Sequence, residues 1–153
     1  MARRTIDGIA GLEALTGQPL GHSDWLEVTQ DRVDRFADAT LDHQWIHVDT
    51  DRAKAESPFG GPIAHGYLTL SLLPHFLDQI VEVTGVAMAV NYGLNRLRYP
   101  APVPVGARLR LGVVLASCEP ISGGAQVQLD CSVEIDGAAK PALVAEVVFR
   151  YYA

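Results

Sequence analysis

Cysteine is scarce in this chain of 153 residues, which has only Cys118 and Cys131. Two thiols make no disulfide framework, and their separation fits neither a redox nor a zinc C-x-x-C motif. If the segments flanking Ser122-Gly123-Gly124 pair as a hairpin, Cys131 faces Gly112 or Val113, well away from Cys118. Both read as reduced core thiols, and the cytoplasm is the expected compartment. Positive charge is short as well. Twelve Lys and Arg against eighteen Asp and Glu leave a net charge of -6 without a basic run, which argues against nucleic acid as a partner. Uninterrupted apolar runs are also missing. The longest, about residues 67–83, carries Pro74, His75, Asp78, Gln79 and Glu82, a set that a bilayer-spanning helix would not hold together. Arg3 and Arg4 resemble the head of an export signal, but Asp7 and Glu13 break the apolar stretch such a signal needs, so neither export nor membrane attachment is expected. GxGxxG, phosphate-loop, HExxH and GxSxG motifs are absent too, which removes the main support for nucleotide-cofactor and serine-hydrolase readings.

What is present describes one globular domain spanning residues 1–153, with 48% hydrophobic and 20% charged residues and no repeat or linker. A chain of this length buries roughly 68–70% of its unfolded surface, enough for a core without staples. Residues 25–28 read as a short strand, and Thr29 stands where a helix N-cap would. Val33, Phe36 and Ala37 then come at helical spacing, with the helix ending near Thr40. Residues 41–49 fit neither period and read as a loop, with a helical turn starting at Asp49 or Thr50. Residues 57–62 are a loop by turn chemistry. From about 65 to 83 the pattern is apolar nearly all round, as in a buried helix, which Pro74 should kink or split.

The second half changes to strand periodicity. Segments 86–92, 96–99, 107–117, 125–135 and 143–152 read as extended. Val127, Leu129, Cys131, Val133 and Ile135 alternate with Gln126, Gln128, Asp130, Ser132 and Glu134, the pattern of a half-buried antiparallel strand. Leu109, Leu111, Val113 and Leu115 give its partner the same period across the Gly123-Gly124 turn. The fold class is therefore α+β, with a helix packed on one face of an antiparallel sheet.

Chemistry concentrates in two segments, LDHQWIHVD from Leu41 and PFGGPIAHGYLTL from Pro58. Asp42 and His47 form a natural acid/base pair, because imidazole titrates near neutral pH and a nearby carboxylate can orient it or share a water. They can equally be a turn cap and a satisfied histidine. His43 and His47 would share a face if helical, but zinc wants three or four ligands and no third accompanies them, so no metal is expected. Ala64-His65-Gly66-Tyr67 opens the buried helix. Its unpaired N–H groups would stabilise a carbonyl gathering negative charge, with Gly66 allowing close approach. Close helix–sheet packing is the competing use of Gly66.

Together these segments, FADATLDHQWIHVD and GPIAHGYLTLSLL, resemble the MaoC-like hydratases and dehydratases, which include (R)-specific enoyl-CoA hydratases of the hotdog fold. The similarity extends through the segment from Asn91 to Val103 and covers most of residues 25–150. The family's aromatic, Asp and His positions fall on Phe36, Asp42 and His47. Leu41 stands where the family usually has Gly, and Gln44-Trp45 where it has Asn-Pro. The resemblance implies a hotdog fold, a long central helix wrapped by an antiparallel sheet, and a homodimer. It implies reversible hydration of a trans-2-enoyl thioester of CoA or an acyl carrier protein, with no cofactor. In that scheme Asp42 and His47 hold the attacking water, and Gly66 N–H faces the thioester oxygen. Gln44, His65, Tyr67 and Arg98 contact substrate. Arg96, Arg98, Arg108 and Arg110 are available for an anionic CoA, or are solvated strand residues. A hotdog acyl-CoA thioesterase and a noncatalytic acyl-thioester-binding subunit are the alternatives.

Overall fold

The computed structural model describes residues 2–153. Its first elements are β1 (Arg4–Asp7), α1 (Gly8–Ala14), β2 (Pro19–His22) and β3 (Leu26–Glu27). Three of these lie in the weakly patterned start, where short elements leave too few residues for a period to show. α2 (Gln30–Thr40) begins as expected: the Thr29 hydroxyl accepts from Arg32 N–H at 3.2 Å, while Val33 and Ala37 are buried. The segment expected to be a loop contains a single helical turn, α3 (Trp45–Val48). α4 (Thr50–Glu56) comes next, capped by the Asp49 carboxylate.

The expected long helix is a rod in two pieces, α5 (Gly66–Ser71) and α6 (Leu73–Ile80). Leu72 joins them in helical conformation, and bonds from Leu72 N to Leu68 O and from Phe76 N to Leu72 O carry the ladder across. Pro74 sits in the first turn of α6, where a missing N–H matters least. The rod stops at Ile80, not Val83. Residues Val81–Thr84 form β4, which pairs in parallel with β1 through a register such as Ile6 with Val83. A partner 75 or more residues away, as in the Arg3–Asp78 contact, cannot be seen in local periodicity.

The remaining strands are β5 (Met88–Arg98), β6 (Arg108–Ile121), β7 (Gly124–Ile135) and β8 (Leu143–Tyr152). Two expected strands, 86–92 and 96–99, are one: β5 runs through with irregularities between Asn91 and Gly93 and between Leu94 and Arg96. The main sheet has the order β2-β6-β7-β8-β5, antiparallel throughout, with β3 also on β6. Cys131 pairs with Val113 and Cys118 with Val127, as the hairpin register required. Both thiols are free, and burial pushes Cys131 up to about 12, so it is an inert core residue. Leu68, Leu72, Phe76, Leu77 and Ile80 of the rod meet the inward residues of β6, β7 and β8 in one core. The α+β arrangement of a helix wrapped by an antiparallel sheet is thus present. Among the described residues, no helix is long and apolar enough to cross a membrane.

Candidate active site

The two chemically dense segments meet at the start of α5. Residues 62–65 are pinned on both sides. Ile63 N donates to Ile46 O at 3.0 Å, and Ala64 N donates to Val103 O at 2.8 Å. On the other segment, α2 ends at Leu41, whose backbone turns left-handed at φ 63°, ψ 23°. That conformation favours glycine, which accounts for the glycine usual before the Asp in the resembling sequences. Leu41 adopts it with its side chain exposed, and the chain then reverses toward α3.

His47, on α3, is 6% exposed. Its Nδ1–H donates to the Ile63 carbonyl at 2.7 Å, leaving the Nε2 lone pair free to accept a proton. Its own carbonyl accepts from Gln30 Nε2 at 2.8 Å, so α2 holds the turn that carries it. Burial lowers its pKa below the ordinary 6.5, and His65 adds to the lowering. The Ile63 carbonyl and Asp42 oppose it without reversing it. The imidazole is therefore a neutral base at physiological pH.

Asp42 is half exposed. Its carboxylate accepts a long bond of 3.4 Å from Gln44 N, so it does cap a turn. Turn capping leaves its other oxygen available, and that oxygen lies 3.9 Å from His65 Nε2. Acceptor and donor atoms of Asp42, His47 and His65 lie within 4.8 Å of one another. That is the span of one water bonded to two partners, since two hydrogen bonds at a tetrahedral oxygen bridge roughly 4.5–5 Å.

The same three side chains raise the question of a metal. His47 and His65 are stacked, with ring centroids 3.9 Å apart and planes inclined by 23°. A metal must lie in the plane of each imidazole it joins, at about 2 Å from nitrogen. Nearly parallel planes at this separation do not meet at such a point, so the pair does not fit a shared ion. His43 lies apart, bonded to Asp38 at 2.9 Å on the surface.

The other expected positions divide. Gly66 opens α5, and the Tyr99 ring covers it: an added Cβ would lie 3.0 Å from Tyr99 Cζ. Close packing thus already uses the missing side chain. A cavity of about 330 Å³ reaches Gly66, walled by Phe59, Ile63, Thr69, Tyr99, Val103 and others. Its lining does not include Asp42 or His47. Tyr67 is exposed beside Tyr99, and burial with Tyr67's proximity raises the Tyr99 phenol. Gln44 is exposed at the start of α3. Arg98 is exposed at the end of β5 and bonds the Leu97 carbonyl. Arg108 and Arg110 are engaged with Asp136 and Glu134 and lie over Trp25, on the sheet's outer face. His65, expected to touch substrate, is turned inward at 2% exposure. Trp45 lies beneath the Arg52 guanidinium, 4.3 Å from its ring centre. Sequence reasoning did not reach Ile63 and Tyr99, because each acts through contacts that no local pattern announces.

A family model, that of the MaoC like domain, matches residues 12–134. The chain belongs to the MaoC-like domain family. Among its relatives, 3-hydroxyacyl-thioester dehydratase Z of Mycobacterium tuberculosis is 52% identical over 151 residues, covering 98% of this chain and 99% of that one. Nodulation protein N of Rhizobium leguminosarum bv. viciae is 45% identical over 139 residues, covering 90% and 86%. Among solved structures, the unliganded R-hydratase PhaJ1 from Pseudomonas aeruginosa superposes with a TM-score of 0.76 over 95% of this chain and 85% of that one. At 21% identity, that likeness is one of fold. The expected hotdog fold is thereby the fold of this MaoC-like chain.

Proposed function

We propose that this MaoC-like protein catalyses the reversible hydration of a trans-2-enoyl thioester to the (R)-3-hydroxyacyl thioester. The reading rests on one observation: a buried neutral imidazole and a half-exposed carboxylate within reach of a single water, beside the start of the buried helix. It is supported by the high identity to a protein named as a 3-hydroxyacyl-thioester dehydratase. In hydration, the water between Asp42 and His47 attacks C3, and His47 Nε2 takes its proton. Electron density moves through the double bond onto the thioester oxygen, where Gly66 N–H donates. Collapse of that enolate takes a proton at C2 from the dyad, so H and OH are added and the protein regains its charge state. Dehydration reverses each step. A base that delivers water to one face of the enoyl group forms a single enantiomer, and the family resemblance gives it as (R).

The cavity that reaches Gly66 is not walled by Asp42 or His47. That separation favours one second reading, a noncatalytic subunit that binds an acyl thioester. Crotonyl-CoA distinguishes the two. Loss of enoyl absorbance without thiol release is expected, with Asp42→Asn and His47→Gln each lowering turnover at least ~10²-fold. Thiol release would mean a thioesterase, and neither signal would mean binding alone. Wild-type rates in either variant, or an (S) product, would sink the assignment.

The proposal includes a homodimer formed along β5. This strand ends the sheet, bonded among the described residues to β8 on one side only, and exposes Met88, Val90, Tyr92 and Leu94. An apolar groove of about 440 Å³ lies beside it, between Leu70, Pro74, Leu94 and Phe149.

A further inference from the structure

Position 65 is occupied by a residue that packing alone would not choose. His65 is 2% exposed, with the Phe36 ring edge-on at 5.0 Å and the His47 ring stacked at 3.9 Å. An aromatic hydrocarbon would fill that space. The imidazole instead brings two nitrogens into the interior, and one of them, Nδ1, is buried with no hydrogen-bond partner among the described residues. A buried acceptor without a partner is destabilising. The other nitrogen, Nε2, donates to the Asp42 main-chain carbonyl at 3.0 Å. Such a net disadvantage at a buried position points to a requirement other than stability.

The contacts of His65 name that requirement. One face supports the ring of His47. The Nε2–H tethers the residue that carries the carboxylate, across 23 positions of sequence. The next peptide bond carries the N–H of Gly66, and the His65 carbonyl accepts from Leu68 N and Thr69 N, closing the first turn of α5. One residue thus joins the base, the acid and the N–H donor, which otherwise belong to different elements. We infer that His65 is a positioning residue: it sets the distance and angle between the Asp42–His47 pair and the start of α5, without touching substrate. The inference rests on the hydratase reading above and adds a residue to it.

The test compares steady-state hydration of crotonyl-CoA and thermal unfolding in the wild type, His65→Phe and His65→Gln. His65→Phe keeps a ring against His47 and Phe36, removes the unpartnered nitrogen and deletes the tether to Asp42. His65→Gln keeps a donor at a similar reach and deletes the ring. Expected for His65→Phe is a kcat lower by at least ~10-fold with KM within ~3-fold, because misplacing reacting groups acts on the transition state. Its Tm should be unchanged or higher. His65→Gln, with the tether restored, should recover part of the lost kcat. A purely structural histidine gives the opposite pattern, a lower Tm or an unfolded His65→Phe with kcat retained per folded molecule. That pattern, wild-type kcat in His65→Phe, or no recovery in His65→Gln overturns the inference. A wild type that does not hydrate crotonyl-CoA fails at an earlier point, bringing down the hydratase reading and the role of His65 with it.

Discussion

Leu41 and His47 show how single residues carry strain and charge into this site. Among the described residues, Leu41 is the non-glycine with a left-handed φ, and its side chain is 81% exposed, so little packing compensates. Left-handed backbone costs a residue with a Cβ roughly 1–2 kcal/mol, part of which glycine returns through the greater entropy of its unfolded chain. Leu41→Gly should therefore stabilise the fold by up to about 1 kcal/mol, read in thermal denaturation as a Tm about 2–4 °C higher. An unchanged or lower Tm would mean that the Leu41 side chain has a partner in the assembled protein. At His47 the sign runs the other way from a paired histidine. Burial lowers its pKa in the folded chain, so between that value and 6.5 the unfolded chain binds more protons than the folded one. Its contribution to stability is full above pH 6.5 and is lost as pH falls through that window. The same shift keeps the base unprotonated in mild acid. The acid limb of a kcat/KM profile should thus fall below 6.5, and a limb at or above it would contradict His47 as the base.

Elements place these residues and leave one edge unfinished. α2 presents Gln30 to the carbonyl of His47 and ends at the strained Leu41, so its two ends position the base and the acid. The α5–α6 rod sets Gly66 at the sheet while burying Leu68, Phe76 and Ile80. β5 is different: it is eleven residues long, lies at the edge and exposes its side chains along most of its length. Soluble proteins seldom leave such a strand bare. Light scattering after size exclusion should give twice the chain mass for the wild type. Leu94→Lys, which would bring like charges together across a two-fold axis, should shift it toward monomer. A monomeric wild type would remove the dimer from the proposal.

At the scale of the whole molecule, the α+β class, the alternation of β7 and its pairing with β6 were legible in residues 107–135, because a half-buried strand repeats every two residues. So was the cap at Thr29, a local side-chain bond. The parallel β1–β4 pair was not, since parallel pairing joins segments far apart in the chain and leaves no turn signal. The fusion of two expected strands into β5 escaped for a related reason: irregularities break the period without ending the strand. In the site, the residue types and spacing singled out Asp42, His47 and Gly66, and the MaoC-like resemblance grew from them. The stack of His65 on His47, the ring of Tyr99 on Gly66 and the Ile63 carbonyl that orients the base belong to the tertiary structure alone. Periodicity and turn chemistry are local and can be read from neighbours in the chain. The orientation of an imidazole depends on what packs against it, and here those groups, the Ile63 carbonyl and the His65 ring, come from the segment leading into α5.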